Sequence, residues 1–458
     1  MKAPMLKPAI LSVSLLTIIA SAAVSPALAQ IRAAFPGASA TTIKLILTLP
    51  SLLILPVSLL SGWLCARLRK RMILLAGLAI YAVCGVGGAA AQSIAGLLAT
   101  RALLGVGIGL IMPLSTTLIA DFFSGPARTR MMGLSVAVNN VGGVLFLSAA
   151  GWLACVNWRL AFGVYALALV TLVLVARWLP EPPAPARGAR SKGARLPAGI
   201  YGCALLGVLM MIAFYAVPTN LALFIEDERE IFASDRPLFE GREDLERHLA
   251  GGGVSEILRA EFAGRGIPLS ERAGITEEAA GRRWVVADGK RRYPVVRDGS
   301  RLVVHAERLG RPALAGSALS VMTLSGALAG AALGLLARRL GSLAVPAALG
   351  LMAGGFALLS RAAGMAAVFA AVPFIGFSAG MLMPALLLRV PAIAPPSSRP
   401  LAMAVVGGGV FFGQFISPVA LEGLAVLLGL DSFRGRFGAV AAGLAAAALI
   451  GAAAAVRA

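Results

Sequence analysis

Twelve apolar stretches, each about 20 residues long, dominate this sequence. They lie near 9–29, 42–65, 72–92, 97–120, 131–154 and 159–178, and then near 199–225, 313–337, 342–362, 366–388, 401–424 and 436–456. A helix of about 20 apolar residues crosses the hydrocarbon core of a bilayer. Lipid offers the backbone no hydrogen-bond partner, so a spanning segment must satisfy its own N–H and C=O groups, as a helix does. The expected fold class is therefore an all-α polytopic membrane protein with twelve transmembrane helices, six plus six. Composition points the same way: 59% of the residues are hydrophobic and only 14% are charged, too apolar for a soluble chain of this length.

The charges that remain are unevenly placed. Residues 226–312 hold 17 of the 21 acids and 16 of the 41 bases, so that segment is nearly neutral. Elsewhere the acids are Asp121, Glu181, Glu422 and Asp431, against 25 bases. The net charge of +20 could suggest a nucleic-acid partner, but the bases sit in short loops between spans, where they set topology rather than form a binding face. With the N-terminus in the cytoplasm, short cytoplasmic segments collect 18 bases and the opposite side seven, leaving 226–312 out. Long loops cross regardless of charge, and the bias of short loops decides orientation. The reading is a multi-pass inner-membrane protein with both termini cytoplasmic and no nucleic-acid partner. Lys2 and Lys7 before an apolar run that ends Ala27-Leu28-Ala29-Gln30 imitate a cleavable signal peptide. Its length, and the repeat that follows, favour a first membrane helix.

The chain repeats itself. Arg101-Ala-Leu-Leu-Gly105-Val-Gly107-Ile-Gly109-Leu-Ile-Met-Pro113 has a counterpart in Gly376-Phe-Ser-Ala-Gly380-Met-Leu-Met-Pro384, at an offset of 271. Arg128 matches Arg399 and Gly142 matches Gly413 at the same offset, and Trp158-Arg159-x-x-Phe162 resembles Phe433-Arg434-x-x-Phe437 at 275. Val24-Ser25-Pro26 pairs with Ala216-Val217-Pro218 at 192. The step from 192 to about 272 is close to the length of 226–312, so a single insertion accounts for it. The expected organisation is a six-helix bundle at 1–178 and a Pro- and Arg-rich cytoplasmic linker at 179–198. A second bundle follows at 199–225 and 313–458, with a soluble insertion at 226–312 on the outer, periplasmic side. Within the insertion, short helices are expected over roughly 240–280, broken at Gly251–Gly253 and Gly264–Pro268. A three-stranded meander is expected at Trp284–Ala287, Arg291–Val296 and Arg301–His305, with Asp288-Gly289 and Asp298-Gly299 as hairpin turns.

Cys65, Cys84, Cys155 and Cys203 lie in or beside spans without metal-type spacing, and His248 and His305 have no Cys or second His close by. Neither a metal nor another cofactor is expected. The spans carry no nucleophile–base constellation, so the chain is not read as an enzyme.

These residues resemble the major facilitator superfamily over the whole chain except 226–312. Gly62-x-Leu64-x-Ala66-Arg67-Leu68-Arg69-Lys70-Arg71 is similar to the family's cytoplasmic loop signature, with Gly334–Gly341 as its second-half echo. Arg101-x-x-x-Gly105-x-Gly107 is similar to its fourth-helix signature, and Trp158-Arg159-x-x-Phe162 to a frequent start of its sixth helix. The resemblance implies two six-helix bundles around a central cavity, related by an axis along the membrane normal, and transport by alternating access. Three departures stand out. Ala66 replaces the signature's usual Asp, leaving Asp121 as the carboxylate at that end of the fourth helix, and Arg69 replaces its usual Gly. The fifth span, with Gly142-Gly143, lacks the Gly-Pro element typical of drug–proton antiporters.

The candidate substrate or proton pathway is Arg101, Asn139, Asn140, Tyr215, Asn220 and Gln414, because ionisable and amide groups inside a membrane span are costly and by default functional. Gly62, Arg67, Arg71 and Asp121 form the expected gating loop. Gly105, Gly107, Gly109, Pro113, Gly376, Gly380 and Pro384 are expected to set helix packing, since small residues let membrane helices approach closely. Glu422 is expected to pair with Arg434 or Arg436. The functional expectation is a monomeric, proton-coupled secondary transporter of a small organic solute, neutral or anionic and partly apolar, in the lipid bilayer. The alternative is a non-transporting receptor or assembly protein that displays 226–312.

Overall fold

The computed structural model describes residues 5–35, 37–65, 67–182, 196–226, 254, 256–264, 269–278, 283–288, 291–298, 301–304, 311–362, 364–395, 398–430 and 432–457. The chain divides into a helical unit, residues 1–223 with 311–458, and a smaller unit, residues 224–310. The expected linker residues 183–195, Ala66, His248, His305 and the glycine breaks at 251–253 lie outside the described residues.

The first half of the helical unit runs through α1 (Leu6–Ala22), α2 (Leu28–Ala34), α3 (Ala40–Cys65), α4 (Lys70–Gly87), α5 (Ile94–Phe122), α6 (Gly125–Val156) and α7 (Leu167–Trp178). The second half has α8 (Ala198–Glu226), and resumes after the insertion with four further long helices and one short one. Those spans match the twelve apolar stretches, with two adjustments. The first span is not continuous: a 3-10 turn at Ser25–Ala27 separates α1 from α2, because Pro26 brings no N–H and its ring crowds the preceding turn. The sixth begins as a 3-10 stretch, Trp158–Ala166, before α7. Among the described residues ten helices are long and apolar enough to cross a membrane, and Leu6–Thr17 and Ala344–Ser360 are shorter apolar helices.

The smaller unit contains α9 (Glu256–Gly264) and an antiparallel sheet in the order β1 (Gly274–Glu278), β2 (Arg283–Asp288), β3 (Arg291–Asp298) and β4 (Arg301–Val304). The expected three-stranded meander has a fourth strand in front of it. Ile275 and Thr276 pair in register with Val286 and Val285, so backbone pairing with a β-branched partner strand prevails over the helical preference of Glu277 and Glu278. Phe262 from α9 packs edge-on against Tyr293, ring centroids 5.2 Å apart, over buried Ile275 and Val286.

The later helices are α10 (Pro312–Leu340), α11 (Ala344–Ser360), α12 (Met365–Ile393), α13 (Arg399–Leu428) and α14 (Phe433–Arg457). The repeat seen in sequence is a packing repeat. A side chain at Gly105 would lie 2.5 Å from the Pro50 carbonyl oxygen of α3, and one at Gly109 2.6 Å from Val57. In the second half, side chains at Gly376 and Gly380 would collide with the carbonyl oxygens of Met322 and Gly326 on α10. The same glycine stripe thus seats α5 on α3 and α12 on α10. Gly107 fits against Tyr81 of α4, where a side chain would come within 2.9 Å of its backbone nitrogen.

Candidate functional site

A cavity of about 900 Å³ lies between the halves, bounded by α1, α6, α8, α10 and α12. Its lining on α6 runs from Gly133 to Leu147, roughly 20 Å of helix at 1.5 Å per residue. The walls are mostly Leu, Val, Ala, Met and Gly; the polar side chains among them are Asn140, Tyr215 and Thr323. Gly376, Gly380 and Pro384 also face it, so the glycine stripe of α12 serves both packing and cavity. Pro113 lies within α5, where Thr117 donates back to its carbonyl at 2.7 Å.

The two ends of the helical unit differ. At the end that holds Glu422, contacts join the halves. Ser25 donates to the Pro218 carbonyl of α8. Ser148 of α6 and Ser320 of α10 share a 2.8 Å hydrogen bond, and Ser320 also reaches the Val144 carbonyl at 2.8 Å. Gly151 and Gly316 meet backbone to backbone. Lys44 of α3, only 1% exposed, donates to Glu422 of α13, whose same oxygen accepts from Arg436 of α14 at 2.7 Å. The ammonium of Lys44 and the guanidinium of Arg436 each lie 5.5 Å from the Phe433 ring centre.

At the other end, which holds Asp121, the first half is tied by polar contacts of its own. Lys70, 5% exposed, pairs with Asp121 at 2.7 Å. Arg71 donates to the Ala176 carbonyl at the end of α7, and Arg67 stacks on Trp63 at 3.8 Å. Gly62 has open space where a side chain would be. Asp121 therefore ties the α3–α4 turn to α5, close to the place that Ala66 leaves without a carboxylate.

The residues singled out in the sequence separate into groups. Asn140 and Tyr215 face the cavity. Asn139 is next to it on α6 with its carbonyl oxygen buried and unpartnered. Asn220 is buried beyond Tyr215 on α8, donating to the Ala216 carbonyl at 2.8 Å and to Thr219 at 3.0 Å. Gln414, 5% exposed, sits on α13 beside Gly413, whose missing side chain lets Val208 of α8 approach.

Arg101 is elsewhere. It is buried inside the first half, donating to the carbonyls of Cys84 and Gly85 at 3.0 Å each, with its guanidinium 4.7 Å from the Phe162 ring centre and 5.0 Å from that of Tyr165. Arg159 reaches the Ala89 and Ala91 carbonyls just beyond. Two arginines thus occupy the C-terminal carbonyls of α4 and the turn that follows it, where the negative end of the helix dipole favours cations. Arg101 does not belong to the cavity lining.

Lys44 and Thr323 were not among the sequence candidates. Lys44 begins the second span, where a base reads as a loop charge, yet it lies between Ile43 and Leu45-Ile46-Leu47. A lysine in that position carries the same signal of an intramembrane charge as Arg101. Thr323 offered no such signal, since its neighbours Ser317, Ser320 and Ser325 on α10 are equally polar and each bonds a carbonyl of a preceding turn.

Residues 10–231 match the family model described as Major Facilitator Superfamily. The arabinose-proton symporter of Escherichia coli strain K12 is 32% identical over 127 residues, covering 28% of this chain and 27% of the relative. The multidrug transporter protein MdtP of Bacillus subtilis strain 168 is 28% identical over 137 residues, 29% of this chain and 24% of the relative. The chain therefore spans about a quarter of the length of the curated relatives it matches. Among solved structures, the nucleoside transporter NupG aligns with TM-score 0.65 at 12% identity, over 98% of this chain and 99% of that one. A D-xylose-proton symporter aligns with TM-score 0.62 at 15% identity, over 98% and 96%.

Proposed function

We infer that this chain, whose residues 10–231 match the Major Facilitator Superfamily model, is a secondary active transporter that carries a small organic solute across the inner membrane by alternating access, coupled to protons. The observation that carries this reading is the cavity between the halves, joined shut at the Glu422 end and bounded by helices from both. A solute-sized space closed at one end is one half of an alternating cycle; separation of the Glu422 contacts and approach of the Asp121 end would complete it.

In this reading the Asp121 end is cytoplasmic, as the loop bases indicate, and the described conformation faces inward. The bundles are 1–178 and 199–225 with 313–458, the linker 179–198 is cytoplasmic, and 226–312 is periplasmic. The solute site is Asn140, Tyr215 and Thr323, with Asn139, Asn220 and Gln414 as the polar layer behind it. Gly62, Arg67, Arg71 and Asp121 act at the cytoplasmic gate, and Arg101 positions α4, α5 and the Trp158–Ala166 stretch rather than touching solute. The protein acts as a monomer.

Three polar side chains in the lining are too few to pair the hydroxyls of a free sugar, and each unpaired hydroxyl costs on the order of 1–3 kcal/mol. An amphipathic solute, with one polar group and an apolar body, fits better. Among the described residues the lining holds no acidic or basic side chain, which favours a neutral solute over a cation. The test is flux into reconstituted vesicles across a panel of neutral and anionic amphiphiles, sugars and nucleosides, with and without an imposed pH gradient. Gradient-dependent flux of amphiphiles is expected; no flux of any panel member, with a properly folded protein, would sink the reading in favour of a receptor.

A further inference from the structure

We propose that the cavity opens sideways, between α6 and α10, into the leaflet on the Asp121 side, and that its solute enters or leaves through this cleft as an amphiphile dissolved in lipid. The proposal rests on the transport reading and adds the solute's route and class.

The seam between α6 and α10 is closed at one end and parted at the other. From Gly151 to Val144 on α6 and from Gly316 to Ser320 on α10 the helices touch: a side chain at Gly151 would lie 2.7 Å from the Pro312 carbonyl oxygen, and one at Gly316 2.6 Å from that of Leu147. Ser148 and Ser320 bond across it. Residues three or four apart share a helix face, so Val141 and Ala137 continue the contact face of Val144 and Ser148. Leu324, Ala327 and Ala331 continue that of Gly316 and Ser320. Had the helices stayed in contact, these side chains would be as buried as Ser320, at 4% exposure. Instead Val141 is 59% and Leu324 47% exposed, and both line the cavity. Leu328, one turn further along α10, is 61% exposed and also lines it.

The cavity therefore reaches through the seam to the flank of the helix pair, where neighbouring side chains such as Leu145 face outward at 60% exposure. The rim of the cleft is Ala137, Val141, Leu324, Ala327, Leu328 and Ala331, all apolar. Water gains nothing from such a rim, whereas lipid tails and an apolar solute body lose nothing there. The polar side chains of the lining are less exposed than this rim: Asn140 and Thr323 are half-buried and Tyr215 is buried. From the exposed rim to the less exposed wall the order is apolar then polar, which matches an amphiphile entering body-aligned with the tails and turning its polar group inward. A volume of about 900 Å³ accommodates a compound of drug-like size.

The experiment is spin-label accessibility in vesicles of phosphatidylcholine and phosphatidylglycerol. Single cysteines replace Val141, Leu324, Leu145 or Gly133 in full-length protein whose native cysteines are substituted. Collision with oxygen, which dissolves in lipid, is compared with collision with a water-soluble nickel chelate. Labels at Val141→Cys and Leu324→Cys are expected to follow the lipid-facing Leu145→Cys, with an oxygen-to-nickel ratio about tenfold above that at Gly133→Cys near the cavity mouth, as polar chelates are excluded from apolar phases. A ratio equal to that at Gly133→Cys, meaning water alone reaches the rim, overturns the proposal, and so does low collision with both, meaning a closed seam. Unlabelled native protein supplies the second arm: within a series of neutral N-alkylbenzamides, KM is expected to fall as membrane partitioning rises, and KM independent of partitioning overturns the route. A lipid-like rim with no flux of any solute counts against transport and leaves the cleft standing.

Discussion

Removing the charge of Glu422 should do more harm than removing that of Lys44, although they form one ion pair. Lys44 is 1% exposed and Glu422 19%, and the same carboxylate oxygen also serves Arg436. Glu422→Gln leaves a fully buried ammonium and a half-buried guanidinium facing a neutral amide. Breaking a buried pair from one side costs about 3–5 kcal/mol, because the surviving charge has lost its compensation. The amide oxygen still accepts one hydrogen bond, and Glu422 has some access to water, so about 3 kcal/mol is expected. Lys44→Met removes the buried charge itself, fills similar volume, and leaves Glu422 paired with Arg436; its cost should be about 1 kcal/mol or less, since apolar replacement of a buried ion is often neutral. The difference has a conformational reading as well. Lys44 is buried only while α3 and α13 are together, so the whole penalty in Glu422→Gln falls on the closed arrangement. At about 1.4 kcal/mol per factor of ten, separation at this end should become about 100-fold more populated. Lys44→Met should shift it little, and the double variant should resemble Lys44→Met rather than the sum. Pulsed dipolar spectroscopy between labels at Ser39→Cys and Leu428→Cys would report the closed and separated populations, alongside Tm in detergent. If Lys44→Met moved either readout as far as Glu422→Gln does, the stranded-charge account would be refuted.

Other perturbations test the packing and the site. Gly380→Leu drives a side chain into the Gly326 backbone, whereas Gly354 has open space around it; the first should cost about 3 kcal/mol or prevent a monodisperse preparation, and Gly354→Leu should leave Tm almost unchanged. Asn140→Leu and Tyr215→Phe each remove one polar group from the cavity wall and should weaken binding of a transported solute about tenfold, read as KM, with Tm retained. Asp121→Asn strands Lys70, which is 5% exposed, and should lower Tm by more than Lys70→Met does, for the reason given for Glu422.

The membrane fold was legible in the sequence because lipid leaves a chain so few options: a run of about 20 apolar residues has one stable form there. The fine breaks were less visible. Pro26 interrupts the first span, but Pro113, Pro218 and Pro384 sit inside unbroken helices. In membranes neighbouring helices re-satisfy the freed carbonyls, and which prolines receive that help depends on packing that a single sequence does not display. The fourth strand, Gly274–Glu278, was hidden because two of its five residues favour helix and only its partner, Arg283–Asp288, makes it a strand. The cavity lining was half legible. Polarity identified Asn140 and Tyr215, but polarity alone does not tell the face of a helix that looks into a cavity from the face that looks into its own bundle, and Asn220 and Arg101 lie on the latter. The Glu422–Arg436 pair followed from proximity in sequence; its third member, Lys44, lies 378 residues away, beyond any local pattern.

The repeat explains what Arg101 is for. At the offset of 271, Arg101 corresponds to Val372, Gly85 to Phe356, Gly88 to Leu359 and Ala91 to Ala362; at 275, Arg159 corresponds to Arg434, Phe162 to Phe437 and Tyr165 to Val440. One contact is common to both halves: Arg159 donates to the Ala91 carbonyl at 2.9 Å, and Arg434 to that of Ala362 at 2.7 Å. The space beneath is filled in two ways. In the first half, side chains at Gly85 and Gly88 would press on Tyr165 and on Phe162 with Arg101, so the guanidinium and the two rings occupy the room the glycines leave. In the second, Phe356 and Leu359 fill it directly, with Phe356 6.1 Å from Phe437 and Val372 fully buried. Arg101 is thus one of two solutions to a single packing problem. Arg101→Val alone should cost about 3–5 kcal/mol, through the cavity it leaves and the carbonyls it abandons. Transplanting the second half's solution, Gly85→Phe, Gly88→Leu, Arg101→Val and Tyr165→Val together, should recover more than half of that loss, measured as Tm and monodisperse yield. Flux in the transplanted protein then separates scaffold from mechanism. Retained flux with unchanged KM and unchanged dependence on the pH gradient is expected of a positioning residue; recovery of the fold with loss of the gradient dependence would return Arg101 to the proton pathway.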